Sequence, residues 1–160
     1  MSPRMMMTAA LAAVLAAPGA ARAKDCTNVS GPFSAVPPAT CASPVGICTH
    51  GRLTGGLDAT YDFVAESQTV VFPTASLTGH STITIDKGGA VLSGQDTSSL
   101  SLLTGDFTTT VHIVGGTHQY KRAGGTIVAV GVFDFATGAT VGTYSGRICK
   151  KSEGEADGVD

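Results

Sequence analysis

The acids of this chain are the residues whose types and places could do chemistry. Asp58, Asp62, Glu66, Asp86, Asp106 and Asp134 fall in or beside stretches with a strand-like pattern. A carboxylate held in an enclosed site can serve as a general acid or base. Alternation decides which way each one points. In Leu57-Asp58-Ala59-Thr60-Tyr61-Asp62-Phe63 the odd positions are apolar and the even ones polar, the period of a half-buried strand. If Ala59, Tyr61 and Phe63 line an interior, Asp58 and Asp62 meet water, where aspartate is ordinarily found. Asp134 shares a face with Val128, Val130 and Val132, and the other face carries Ile127, Ala129, Phe133 and Phe135. Both faces are apolar, as expected if one packs inside and the other meets a neighbouring subunit. Beside the turn Ala136-Thr137-Gly138, Asp134 reads as a cap for local backbone. Asp62 and Asp134 are the catalytic candidates if the protein is an enzyme. Tyr61, Phe63, Phe133 and Tyr144 are the expected wall of any pocket.

Other chemistries find little footing. His50, His80, His112 and His118 show no metal-binding helical spacing, and neither H-E-x-x-H nor G-x-S-x-G occurs. Gly115-Gly116 lacks the lysine of a phosphate-binding loop. No metal and no cofactor is expected. Ten Lys and Arg against twelve Asp and Glu give a net charge of −2, which argues against an electrostatic nucleic-acid binder. Charged residues make up only 14% of the 160 residues, against about 25% in an average soluble domain.

Residues 1–23 carry Arg4, an apolar run over Met5–Ala17, a Pro18-Gly19 break and Ala21-Arg22-Ala23. This is the pattern of a cleaved secretory signal peptide. The run falls short of the roughly 20 residues that span a bilayer. Cleavage removes Arg4 and Arg22 and lowers the basic count from 10 to 8 against 12 acids, a net charge of −4. A secreted or periplasmic product is expected, with no membrane span. In such an oxidising compartment Cys26, Cys41, Cys48 and Cys149 read as two disulfides. In a closed antiparallel barrel, a first strand opening at Cys48 would lie beside a last strand closing at Cys149. The expected pairs are therefore Cys48–Cys149 and Cys26–Cys41. The competing arrangement is a local Cys41–Cys48 loop with Cys26–Cys149.

Residues 24–50 read as an irregular arm, because Pro32, Pro37, Pro38 and Pro44 interrupt it. A β-rich domain is expected over 51–149, followed by a polar acidic tail at 150–160. Its strand patterns are Leu57–Phe63, Thr69–Phe72, His80–Asp86, Ala90–Gly94, Phe107–Val114, Thr126–Phe135 and Ala139–Cys149, with Ser98–Leu103 a weak strand or connector. Strands at intervals of about 10 residues with glycine-bearing turns suggest a sandwich or an antiparallel barrel.

Between two of these strands, residues 115–125 read GGTHQYKRAGG. Gly115, Gly116, Thr117, Tyr120, Ala123 and Gly125 resemble the glycine-rich signature of dirigent proteins and the related allene oxide cyclase barrels. His118 departs from it, standing where the family usually has glycine. Residues 133–149 (FDFATGATVGTYSGRIC) resemble secreted bacterial proteins of the same barrel group. The resemblance implies an all-β fold, an eight-stranded antiparallel barrel, with an apolar cavity and a trimeric or dimeric homo-oligomer. Allene oxide cyclases steer a reactive substrate by shape, with a carboxylate assisting. Dirigent proteins bind radicals or quinone methides and protonate them. The first expectation is an exported, disulfide-bonded barrel that binds a small apolar molecule. The alternatives are a cavity-type cyclase, isomerase or dirigent-like stereo-directing protein, and a structural or surface-interaction module. A buried carboxylate facing an open cavity would favour the enzyme.

Overall fold

The computed structural model describes residues 25–150. The expected signal peptide and all but the first residue of the acidic tail lie outside the described residues. Eight strands follow one another: β1 (Asp25–Val36), β2 (Cys48–Leu53), β3 (Ala59–Val71), β4 (Thr74–Ile85), β5 (Val91–Ser101), β6 (Asp106–Gly116), β7 (Gly124–Phe133) and β8 (Thr140–Lys150). Each pairs antiparallel with its sequence neighbour, and β1 pairs with β8, so the sheet closes into a barrel. Among the described residues the only helix is a short 3-10 turn, His118–Tyr120.

Residues 25–36 correct the expected irregular arm. They form β1, which runs beside β8 from Asp25–Lys150 to Ala35–Thr140. Pro32 is tolerated because the β1–β2 ladder covers only Phe33–Val36 against His50–Leu53. Pro32 lies just beyond it, where its missing N–H removes no β1–β2 bond, and its carbonyl accepts the Thr54 N–H at 3.1 Å. Pro37, Pro38 and Pro44 all lie in the β1–β2 connection.

The disulfides follow from this added strand and overturn the expected pairing. Cys26 is in register with Cys149 and bonded to it, and Cys41 is bonded to Cys48. Cys48 opens β2 rather than the first strand, so β1 separates it from β8.

The two ends of the barrel differ. The connections 54–58, 86–90 and 117–123 lie at one end. There Leu57, Leu92, Ile113, Ala123, Ile127 and Ile148 pack into a core, with Tyr120 against it. The glycine-rich segment 115–125 thus supplies a turn and a plug. The β1–β2, β3–β4, β5–β6 and β7–β8 connections gather at the other end. Val71, Phe72, Leu103 and Phe135 stand exposed on that rim.

The inward face of β8 alternates large and small: Thr140, Gly142, Tyr144, Gly146 and Ile148. Small barrels fill their interiors this way. At Gly142 a Cβ would come within 2.8 Å of the Phe33 ring. The glycine makes room for that ring, which stands edge-on to Tyr61 and Phe107 with centroids 6.2 and 6.1 Å away.

Because Cys26 and Cys149 lie 123 residues apart in sequence, their bond restrains most of the unfolded chain. Replacing both by Ser is expected to lower stability by about 2–5 kcal/mol, measured as a shift in urea unfolding. Mass spectrometry of a non-reduced digest should recover Cys26–Cys149 and Cys41–Cys48 peptides. A Cys48–Cys149 peptide would contradict the assigned topology.

Candidate functional site

Above the packed end the side chains become too small or too far apart to fill the barrel. They leave a cavity of about 300 Å³, the lower end of the range of ligand pockets. Tyr61, Phe63, Phe133 and Tyr144 all stand on its wall, as do Phe33, Phe107 and Phe135. Leu77, Leu100 and Leu102 add aliphatic surface, and Ser98, Ala129 and Thr109 add small side chains. The Ser98 and Thr109 hydroxyls bond one another at 2.6 Å, so each satisfies the other inside an apolar room.

Two of the tyrosines have their hydroxyls occupied. The Tyr144 hydroxyl accepts the Leu57 N–H at 2.8 Å and donates to the Thr54 carbonyl at 2.9 Å. Its ring faces the cavity while its polar end staples β8 to the β2–β3 connection. Burial raises its pKa above the ordinary phenol value. Burial likewise pushes the Tyr61 phenol up to about 12, against an opposing pull from the Thr140 and Thr49 side chains. Tyr61 is therefore a neutral wall residue across the physiological range.

The acid in this cavity is Asp96, which the strand patterns did not single out. The expected hairpin partner Ala90–Gly94 and the weak strand or connector Ser98–Leu103 belong largely to one continuous strand, β5. From the packed end outward, β5 turns Leu92, Gly94, Asp96, Ser98 and Leu100 inward. Leu92 belongs to the core; Asp96, Ser98 and Leu100 line the cavity. Asp96 is 2% exposed. Ser81 of β4 donates its hydroxyl to Oδ2. Oδ1 has no hydrogen-bond partner among the described residues. Burial pushes the carboxyl up to about 6, with the Ser81 bond pulling the other way and His80, Glu66 and His112 acting more weakly. Those three are exposed, on the outer face of the sheet.

The two acids suggested as catalytic stand elsewhere. Asp62 is exposed on the outer face of β3, bonded to His50 Nδ1 at 2.7 Å. Asp134 is exposed at the β7–β8 connection, where it accepts the Ala136 N–H and the Thr137 hydroxyl, each at 2.8 Å. These bonds hold its pKa below the ordinary carboxylate value. Neither lines the cavity, so neither can reach a molecule inside it. Among the described residues no three His, Cys, Asp or Glu come together to hold a metal ion.

No protein-family model matches the chain, and no curated protein matches it. Among solved structures it is similar to a pterocarpan synthase dirigent protein, at 17% identity and a TM-score of 0.36, covering 84% of this chain and 89% of that one.

Asp96 makes the fold pH-dependent, with a definite sign. Its pKa rises from 3.8 to about 6 on folding, so between those values the native state binds more protons than the unfolded chain. Its contribution to stability is then fully present below pH 4 and is lost as pH rises through 6. At about 1.4 kcal/mol per pKa unit, ionisation costs the fold about 3 kcal/mol. Asp96→Asn is expected to be more stable than the parent at pH 8, by up to that amount, with the advantage vanishing near pH 4. Urea unfolding of both proteins across this range measures it.

Proposed function

We propose that this protein is an exported barrel that holds a small, largely apolar molecule in the open half of its interior. The observation that carries this reading is the cavity: about 300 Å³, walled by aromatic and aliphatic side chains, and continuous with the end where the apolar rim residues stand. Pockets of this kind occur in the mouths of β-barrels. Export is supported by the leader pattern of residues 1–23 and by two disulfides, which persist in oxidising compartments.

A neutral apolar dye, N-phenyl-1-naphthylamine, is expected to gain fluorescence on the protein and to raise its melting temperature, as a ligand specific to the native state must. Ala129→Phe, which fills the cavity from β7, should abolish the gain while unfolding stays cooperative. Dye fluorescence that survives this substitution in a folded protein would place the binding outside the barrel.

A second reading is favoured by Asp96 itself: a cyclase or isomerase in which the cavity sets the substrate's shape and a protonated Asp96 gives it a proton. General acids work best with a pKa near the working pH, and this carboxyl lies near 6. Turnover of such a substrate should fall as pH rises through 6 and be lost in Asp96→Asn. Retained turnover in that variant overturns the reading.

A further inference from the structure

We propose that the cavity selects an amine: a small apolar molecule carrying one protonated amino group, seated with that group toward the Asp96 carboxylate on the cavity wall. The inference rests on the ligand-holding reading above and adds the charge of the ligand to it.

The argument begins with what surrounds the carboxylate. Gly79 stands opposite it on β4 and Val111 on β6, and the Phe63 ring crowds the space above Gly79. Among the described residues Ser81 is the one side chain that bonds Asp96, and it reaches only Oδ2. No Lys, Arg or His among the described residues lines the cavity. The titratable neighbours His80, Glu66 and His112 lie on the outer face, with His80 already bonded to Glu66 at 3.0 Å. A carboxylate withdrawn from water with one oxygen unpartnered is costly, and His80 and His112 offset that cost only weakly, from the outer face.

A ligand can supply an opposite charge. An ammonium group brings N–H donors to the carboxylate, and a charge-assisted bond is roughly twice as strong as a neutral one. An alcohol of the same shape offers one neutral hydrogen bond. A carboxylate ligand is repelled. The pH dependence follows. An alkylamine with a pKa of about 10, like lysine, stays protonated through the neutral range, whereas Asp96 loses its proton near pH 6. Affinity for the amine therefore rises with pH through 6 and levels off above it.

The test compares 2-phenylethylamine with its near-isostere 2-phenylethanol by calorimetry, on the disulfide-bonded protein and on Asp96→Asn, at pH 5 and pH 8. The neutral dye serves as a control for an intact cavity. The amine is expected to bind at least tenfold more tightly than the alcohol at pH 8. The gap should narrow at pH 5 and close in Asp96→Asn, with dye binding retained. Equal affinities for amine and alcohol at pH 8, on protein that binds the dye, overturn the amine proposal and leave the ligand-holding reading standing. Failure of dye, amine and alcohol alike overturns both.

Discussion

The ladder between β1 and β8 joins the first described strand to the last, and Cys26–Cys149 fastens the same seam covalently. Closure leaves the sheet without an open edge and fixes, strand by strand, which alternate residues face inward. An eight-stranded barrel is only just wide enough for its side chains to fill. Whether it is solid or hollow then depends on side-chain size at each level. Near the closed end Leu92, Ile113, Ile127 and Ile148 meet across the axis and fill it. Further out, Ser98, Thr109 and Ala129 leave the cavity that Phe33, Phe63 and Phe133 line from the remaining sides.

Within that hollow, one ionisable acid stands in a mostly apolar lining that holds a few neutral polar side chains such as Ser81, Ser98 and Thr109. A buried carboxyl is held back from ionising by lost hydration, and Ser81 compensates one of its two oxygens. The outer-face residues act only through the wall. The same arrangement that weakens the fold above pH 6 places an incompletely bonded carboxyl on the cavity wall, a common association of stored cost with function. The glycine-rich segment 115–125, by contrast, lies at the closed end, with Tyr120 packed on the core. It shapes the barrel and has no part in the cavity, as when function resides in a site carried by a fold.

Much of this was legible in alternation. Tyr61 and Phe63 face inward because their strand interleaves apolar and polar residues in step with the pleat, and Phe133 was placed on the wall from a strand apolar on both faces. Asp134 reads correctly as a turn cap from its place before Ala136-Thr137-Gly138. Two stretches defeated the same logic. In residues 93–99 (SGQDTSS) both faces are polar or bare, so no period marks a strand; pairing with β4 on one side and β6 on the other makes it one. The remaining signal was the inward parity of Leu92 and Leu100, which places Asp96 between them on the same face. In residues 25–36 Pro32 masked a strand, and with β1 missing the cysteines were matched to the wrong neighbours.

The sequence by itself determined the β-rich class and the inward aromatic face of β3, because alternation and turn chemistry are local properties of the chain; strand spacing left a sandwich or an antiparallel barrel open, and the barrel came from the resemblance of the glycine-rich turn. Tertiary structure decided the disulfide partners, the boundary between the filled and hollow halves, and the burial of Asp96. Each of these depends on which strands lie side by side once the sheet closes, and that adjacency joins residues as far apart as Cys26 and Cys149. No window of sequence contains both sides of such a contact, so its energetic consequences appear only when the barrel is assembled.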